Sequence, residues 1–367
     1  MAAGTLDDTR EARRWCVGVV AASVALLATA AAINAWVDPF QQFSVATRFA
    51  PRFYTLHHRY IDPGLAKHAD YDTLLTGSSI MENSRNSDIA KACGGRAINL
   101  AMPAQSAYEQ RRILDTALAS RAVRRAIVVL DFNAFAGPPD ARQDVAGPLP
   151  RYLYDSNPFD KLPYLLSGDV LMKSLRILAG DRSESFSDDP DAPWFWAWRK
   201  KFGRGEVLDG LDLSNLNARY QQPARTLAGM QASFAANLLP VFRAHPDTEF
   251  DLAWPPYSIL VWLDFAQRNQ LDLSLAFKHY VFDVTRVLPN VRIVDLQPVR
   301  AITHDLDRYV DLYHFAPDVN VALTDAACRG EHRVTDATVE TFERALREQT
   351  AEVATPAGLA RVTGTKP

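Results

Sequence analysis

An uninterrupted apolar stretch from Trp15 to Val37, WCVGVVAASVALLATAAAINAWV, divides this chain into two parts that must meet different solvents. It contains no charge and is bounded by Arg13–Arg14 and Asp38. At about 1.5 Å per helical residue it covers the roughly 30 Å of a bilayer's hydrocarbon. Trp15 and Trp36 fall near its ends, where indoles favour the membrane interface. A cleaved secretory signal is the competing reading, because LATAAA supplies small residues near a cleavage site. The run is long for such a segment and closes on an aromatic, which favours a retained anchor. Arg10, Arg13 and Arg14 precede it closely, so residues 1–14 are expected to stay in the cytoplasm. The bulk of the chain is then expected outside the inner membrane, in the periplasm or at the outer surface of a bacterial cell.

With 367 residues, the remainder is long enough for one large domain with a substantial core. The net charge of −3 and pI of about 6.3 lack the basic excess of a nucleic-acid binder, so no nucleic-acid partner is expected. Of three cysteines, Cys16 lies in the apolar stretch. Cys93 and Cys328 would meet an oxidising compartment, where a disulfide between them is permitted. The chain has no CxxC and no Cys/His cluster, so neither a metal nor a cofactor is expected.

Residues 38–70 are rich in aromatics, Pro and Arg and read as a partly ordered connector. From 71 to 352 short apolar runs alternate with amphipathic stretches, the pattern of βα units around a mainly parallel sheet. The expected strands are Tyr71–Thr76, Arg96–Met102, Arg125–Phe132, Glu249–Trp254 and Val291–Leu296. Helices are expected over Ser79–Cys93, over Ser106–Arg121 with a Ser106/Glu109 capping box, and over 223–244, 258–287, 317–328 and 335–352. An insertion at 136–222, heavy in Pro, Asp and aromatics, interrupts the third and fourth strands. A segment of that length inside a compact domain is usually a functional cover, so it is expected to border the site. Its PWFWAWRKKFGRG run reads as local packing, with a membrane-facing edge as the alternative. The tail 353–367 reads as disordered.

Three constellations carry chemistry. Thr76-Gly77-Ser78-Ser79-Ile80 follows the first strand and opens a helix, where backbone N–H groups favour negative charge; Ser there is also a common N-cap. Asp311-Leu312-Tyr313-His314 places a carboxylate within reach of an imidazole, as a general base requires. Asn133 ends the third strand. Ser79, Ala104, Asn133 and Asp311/His314 all follow strand ends, and open α/β sheets bind ligands beyond the carboxyl ends of their strands.

These residues resemble the blocks of the SGNH/GDSL hydrolase superfamily. Gly77-Ser78-Ser79-Ile80 is similar to block I, Asn99-Leu100-Ala101-Met102-Pro103-Ala104 to block II, Leu130-Asp131-Phe132-Asn133 to block III and Asp311-Leu312-Tyr313-His314 to block V. The order matches over roughly residues 70–330, most closely the membrane-anchored envelope branch of alginate O-acetyltransferase-like and D-alanyl-transfer proteins. The resemblance implies a three-layer, doubly wound, flavodoxin-like α/β fold with a five-stranded parallel sheet. It further implies Ser79 as nucleophile, His314 as base and Asp311 as its orienting carboxylate. The N–H groups of Ser79 and Ala104, the Asn133 amide and the neighbouring Ser78 would bind the oxyanion and substrate. The chain departs from the blocks at Ser78 (usually Asp), Ala104 (usually Gly), Asp131 (usually Gly) and Ala134 (usually Asp). A Gly-x-Ser-x-Gly elbow is absent, which counts against an α/β-hydrolase.

Two function classes follow. The first is a serine esterase or O-acyltransferase acting on an acyl ester of an envelope or extracellular glycan. A transferase would need a membrane partner to deliver the acyl group, since one span cannot carry it across. The second is a non-catalytic envelope assembly or binding protein that keeps the fold.

Overall fold

A computed structural model describes residues 4–142, 149–155, 157–222 and 224–365. Residues 1–3 of the expected cytoplasmic terminus, 143–148, 156 and 223 of the insertion and its flank, and 366–367 of the tail lie outside the described residues. The first helix, α1, spans Gly4–Val37, and its stretch Thr9–Val37 is long and apolar enough to cross a membrane.

Five parallel strands form the sheet: β1 (Thr73–Thr76), β2 (Ala97–Asn99), β3 (Arg125–Val129), β4 (Glu249–Trp254) and β5 (Val291–Asp295). Their spatial order is β2-β1-β3-β4-β5. The register sets Leu74 opposite Ile98 on one side and Ala126 on the other. Every residue of β1 and β3 is buried, which explains why these strands read as continuous apolar runs rather than alternating ones. The helix α3 (Asn86–Cys93) joins β1 to β2, and α4 (Ala107–Ser120) joins β2 to β3. Those two crossovers travel in opposite directions across the sheet, and right-handed connections therefore put α3 and α4 on opposite faces.

Further helices complete each face. On one, α4 packs on α6 (Leu227–Ala244), which packs on α8 (Leu271–Thr285). On the other, α3 packs on α9 (Pro317–Arg329), which also touches β4 and β5. Cys93 at the end of α3 and Cys328 near the end of α9 form a disulfide with a Cα–Cα separation of 4.9 Å, inside the range such bridges need.

Several expectations need correction. The connector 38–70 holds a buried helix, α2 (His58–His68), packed on α4. Arg59 on α2 donates to both carboxylate oxygens of Glu109 at 2.8 and 2.9 Å, and the two side chains are 1% and 0% exposed. The expected helix Ser79–Cys93 is a single 3-10 turn, Ser79–Met81, followed by a loop and then α3. The reason is local. The Asn320 amide donates to Ile80 O, and the Asn99 amide donates to Met81 O and Ser84 O. Side chains thus take carbonyls that an α-helix would keep for itself.

The stretch 258–287 is two helices, α7 (Ile259–Gln267) and α8, broken where Asn269 adopts φ 56°. The tail is ordered as well. After α10 (Val339–Val353), the helix α11 (Pro356–Thr363) packs back on α10 and buries Val362. Its caps were in the sequence: Thr355 accepts from Gly358 N, Pro356 occupies the first turn, and Gly364 closes it in the left-handed region. The capping box of Ser106 and Glu109 is present as expected.

Alkylation of the unfolded, unreduced protein is expected to modify Cys16 alone, with mass spectrometry as the readout. Because the bridge closes a loop of 235 residues, replacing Cys93 and Cys328 with Ser should lower stability by about 2–5 kcal/mol. Alkylation of all three thiols would overturn the pairing.

Candidate active site

The chain leaves β1 through Gly77, which approaches β3 closely. A Cβ added there would lie 3.0 Å from Val129 Cβ and 3.2 Å from Met81 Cγ, so the turn requires glycine. Ser78 and Ser79 follow, and neither hydroxyl caps the turn. The Ser78 hydroxyl donates to Asp131 Oδ2 at 2.9 Å. Ser79 Oγ lies 2.9 Å from His314 Nε2.

The imidazole is held by its own loop. An antiparallel bridge between Tyr309 and Phe315 closes residues 309–315, and buried Leu312 and Tyr313 pin the loop inward. Asp311 Oδ1 accepts the N–H groups of Tyr313 and His314, both at 2.8 Å. Its second oxygen, Oδ2, accepts from His314 Nδ1 at 2.8 Å. A carboxylate only accepts, so the proton of the neutral imidazole sits on Nδ1 and Nε2 is left to accept from Ser79. The structure therefore brings Ser79, His314 and Asp311 into one hydrogen-bonded chain.

Burial works against a charged imidazole here, but the hydrogen bond and charge of Asp311 outweigh it and hold the His314 pKa above the ordinary histidine value. Burial likewise pushes the Asp311 carboxyl upward, and its bonds to His314 and to the backbone bring it below the usual range. Protonation of His314 therefore stabilises the fold fully below the unfolded histidine pKa, a benefit lost as pH rises through the folded value. Ionisation of Asp311 contributes above the unfolded carboxyl pKa and is lost as pH falls through the folded one. Together they contribute most between about pH 4 and about pH 6.5.

A cavity of about 320 Å³ opens over this chain, lined by Ser79, Ala104, Asn133, Tyr220, Gln222 and His314 among others. It lies at the carboxyl ends of β1 and β3, where the winding of the sheet reverses direction. The backbone N–H groups of Ser79 and Ala104 have no intramolecular acceptor among the described residues. Ala104 adopts φ 50°, a left-handed conformation that strains any residue with a Cβ. Arg59 fixes the preceding residue by donating to Pro103 O at 3.0 Å.

Asn133 is set by two partners. Its N–H donates to Asp131 Oδ1 at 2.9 Å, and its side-chain oxygen accepts from Arg225 at 3.4 Å, which leaves the amide nitrogen as the free end. Asp131 thus links Ser78 to Asn133, and its carboxylate holds both turns together.

Sequence reasoning missed three contributors. Trp196 of the insertion donates its indole N–H to Ser79 O at 3.2 Å and sets its ring edge-on to His314 at 5.6 Å. Asn83 Oδ1 in turn accepts the N–H groups of Trp196 and Ala197. Arg225 was invisible because its signal is a single cation with no spacing attached to it. The insertion borders the site through Trp196, Tyr220 and Gln222.

Compared with known proteins, the chain matches no family model and no curated protein.

Two measurements check this geometry. By NMR titration, His314 is expected to titrate above the free-histidine value; Asp311→Asn, which leaves burial without its counter-charge, should bring it below about 6.5. An unchanged value would remove Asp311 as the orienting group. For Ala104→Gly, release of about 1–2 kcal/mol of left-handed strain is opposed by about 0.5–1 kcal/mol of added chain entropy. A net gain of up to about 1.5 kcal/mol should appear as a raised Tm.

Proposed function

We propose that this chain is a membrane-anchored SGNH-type serine esterase or O-acyltransferase acting on an acyl ester of a cell-envelope or extracellular glycan. The observation that carries the reading is the hydrogen-bonded chain from Ser79 through His314 to Asp311, opening on a cavity at the reversal point of the sheet. The strand order, two-one-three-four-five in sequence terms, supports it too, being the order of flavodoxin-like doubly wound folds.

In this mechanism Ser79 Oγ attacks the acyl carbonyl carbon while His314 Nε2 takes the hydroxyl proton. The negative charge that develops on the carbonyl oxygen is met by the N–H groups of Ser79 and Ala104 and the Asn133 amide. Each such donor is worth about 10²–10³ in rate. Collapse breaks the ester C–O bond, His314 returns the proton to the leaving alkoxide, and the acyl group stays on Ser79. In the second half His314 deprotonates the acceptor, which attacks the acyl-Ser79; the acyl C–Oγ bond then breaks and His314 returns the proton to Ser79 Oγ. Water makes the protein an esterase, and a glycan hydroxyl makes it a transferase supplied with acyl groups by a membrane partner. Arg10, Arg13 and Arg14, within α1 but ahead of its apolar stretch, support an N-terminus in the cytoplasm and a site on the outer side of the inner membrane.

The full-length protein in detergent should be labelled by a fluorophosphonate probe and should turn over p-nitrophenyl acetate. Ser79→Ala should abolish labelling and lower kcat by about 10⁴–10⁶. Labelling that survives the substitution removes Ser79 as nucleophile. Wild type that labels at no pH favours instead a non-catalytic envelope binding protein.

A further inference from the structure

The helix α5 (Gly168–Leu178) sits inside the insertion and packs against the end of α1. Its side chains divide into three arcs. Val170 and Ser174 are buried, and so is Lys173 at the border of the next arc. Asp169, Lys173 and Arg176 share a charged arc, in which Lys173 and Arg176 both bind Glu184. Leu171, Met172, Leu175 and Leu178 recur at intervals that put them on the remaining face. Met172, Leu175 and Leu178 are 53%, 44% and 41% exposed, and Leu162 and Leu166 just before the helix are 55% and 42% exposed. This is a contiguous apolar surface without a covering partner among the described residues.

Its height relative to α1 is fixed by one buried side chain. Asn34, 0% exposed, donates to Leu165 O at 2.8 Å and Ser167 O at 3.3 Å, and accepts from Ser174 Oγ at 3.1 Å. The docked part of α1 runs from Ala30 to Val37, where Asn34 and Val37 are buried and Ala30, Ala31 and Ile33 half-buried, while Ala32, Ala35 and Trp36 stay exposed. A bilayer needs about 20 helical residues. The charged residues of α1 end at Arg14, so a span counted from Trp15 reaches Asn34. The segment against which α5 packs therefore straddles the outer boundary of the hydrocarbon and does not stand clear of it.

We infer that the exposed face of α5, with Leu162 and Leu166, is immersed among the acyl chains of the outer leaflet, so that the domain is seated in the membrane surface rather than tethered above it. The inference rests on α1 spanning the membrane. Amphipathic helices lying at the interface show this division, apolar toward the acyl chains and charged toward the headgroups. Asn34 is the kind of polar residue that holds helices together at membrane depth, where its unpaired amide would otherwise be costly. The division adds residues 162–178 to the Trp194–Trp198 run as a membrane-facing edge of the insertion; in that run Trp194 is buried and Trp198 is exposed.

Site-directed spin labelling of the full chain in phospholipid nanodiscs tests this. Single cysteines would be placed at Leu162, Met172, Leu175 or Leu178 in a Cys16→Ala background, with Leu27 on α1 and exposed Glu331 as controls. Accessibility to oxygen should exceed accessibility to a water-soluble nickel chelate several-fold at the four test positions, as at Leu27, and the ratio should invert at Glu331. Test positions that resemble Glu331 while Leu27 stays in lipid would overturn the seating and leave the anchor intact. Shielding from both reagents would mean that protein covers the face, and would also overturn it. A water-accessible Leu27 would remove the anchor and the seating together. Because the four labels are independent and lie at exposed positions, misfolding of one variant leaves the others to decide.

Discussion

The pairing of Arg59 with Glu109 is the interaction on which much of the rest depends. Each charge is withdrawn from water, and each would be costly alone, by about 3–5 kcal/mol if its partner were removed. The pair does more than cancel that cost. Glu109 also closes the N-terminus of α4, and Arg59 also holds Pro103 O, one residue before the strained Ala104. A single buried guanidinium thus fastens α2 to the sheet domain and fixes the turn that presents one of the unsatisfied N–H groups to the cavity. The left-handed backbone at Ala104 is tolerated because its surroundings over-determine it.

The apolar strands and the parallel βα alternation were legible in the sequence because burial on both faces writes continuous hydrophobic runs. Ser79, Asp311 and His314 were legible by placement after strand ends more than by spacing. Two of the failures share a cause. The segment after Ser79 has helical composition, yet its carbonyls are taken by Asn99 and Asn320, residues 15 or more positions away in the chain. No local pattern can announce a bond made by a distant amide. The connector read as loose because Arg59 and Asp62 look like surface residues until Glu109 and the surrounding core are in place. The ordered tail is a different kind of miss: the caps of α11 were present in Thr355, Pro356 and Gly364, and composition was allowed to outweigh them.

The region around Ser79 is held from several directions. Asp131, at the neighbouring strand end, accepts from the Ser78 hydroxyl and from the Asn133 N–H. Trp196 then closes the turn from the insertion side, so three separate segments meet on two consecutive serines. The cavity over them is lined by Asn133, by His314 and by Tyr220 and Gln222 of the insertion.

The bridge between Cys93 and Cys328 has a consequence for how the molecule is made. Beyond α1 the chain contains two cysteines, so oxidation there has a single outcome and needs no reshuffling of mispaired thiols. Because the partners stand 235 residues apart, the bond must wait until nearly the entire polypeptide has arrived. It therefore acts as a completion seal: it cannot close on a truncated chain, and once closed it joins the first crossover of the sheet to a helix that follows its last strand.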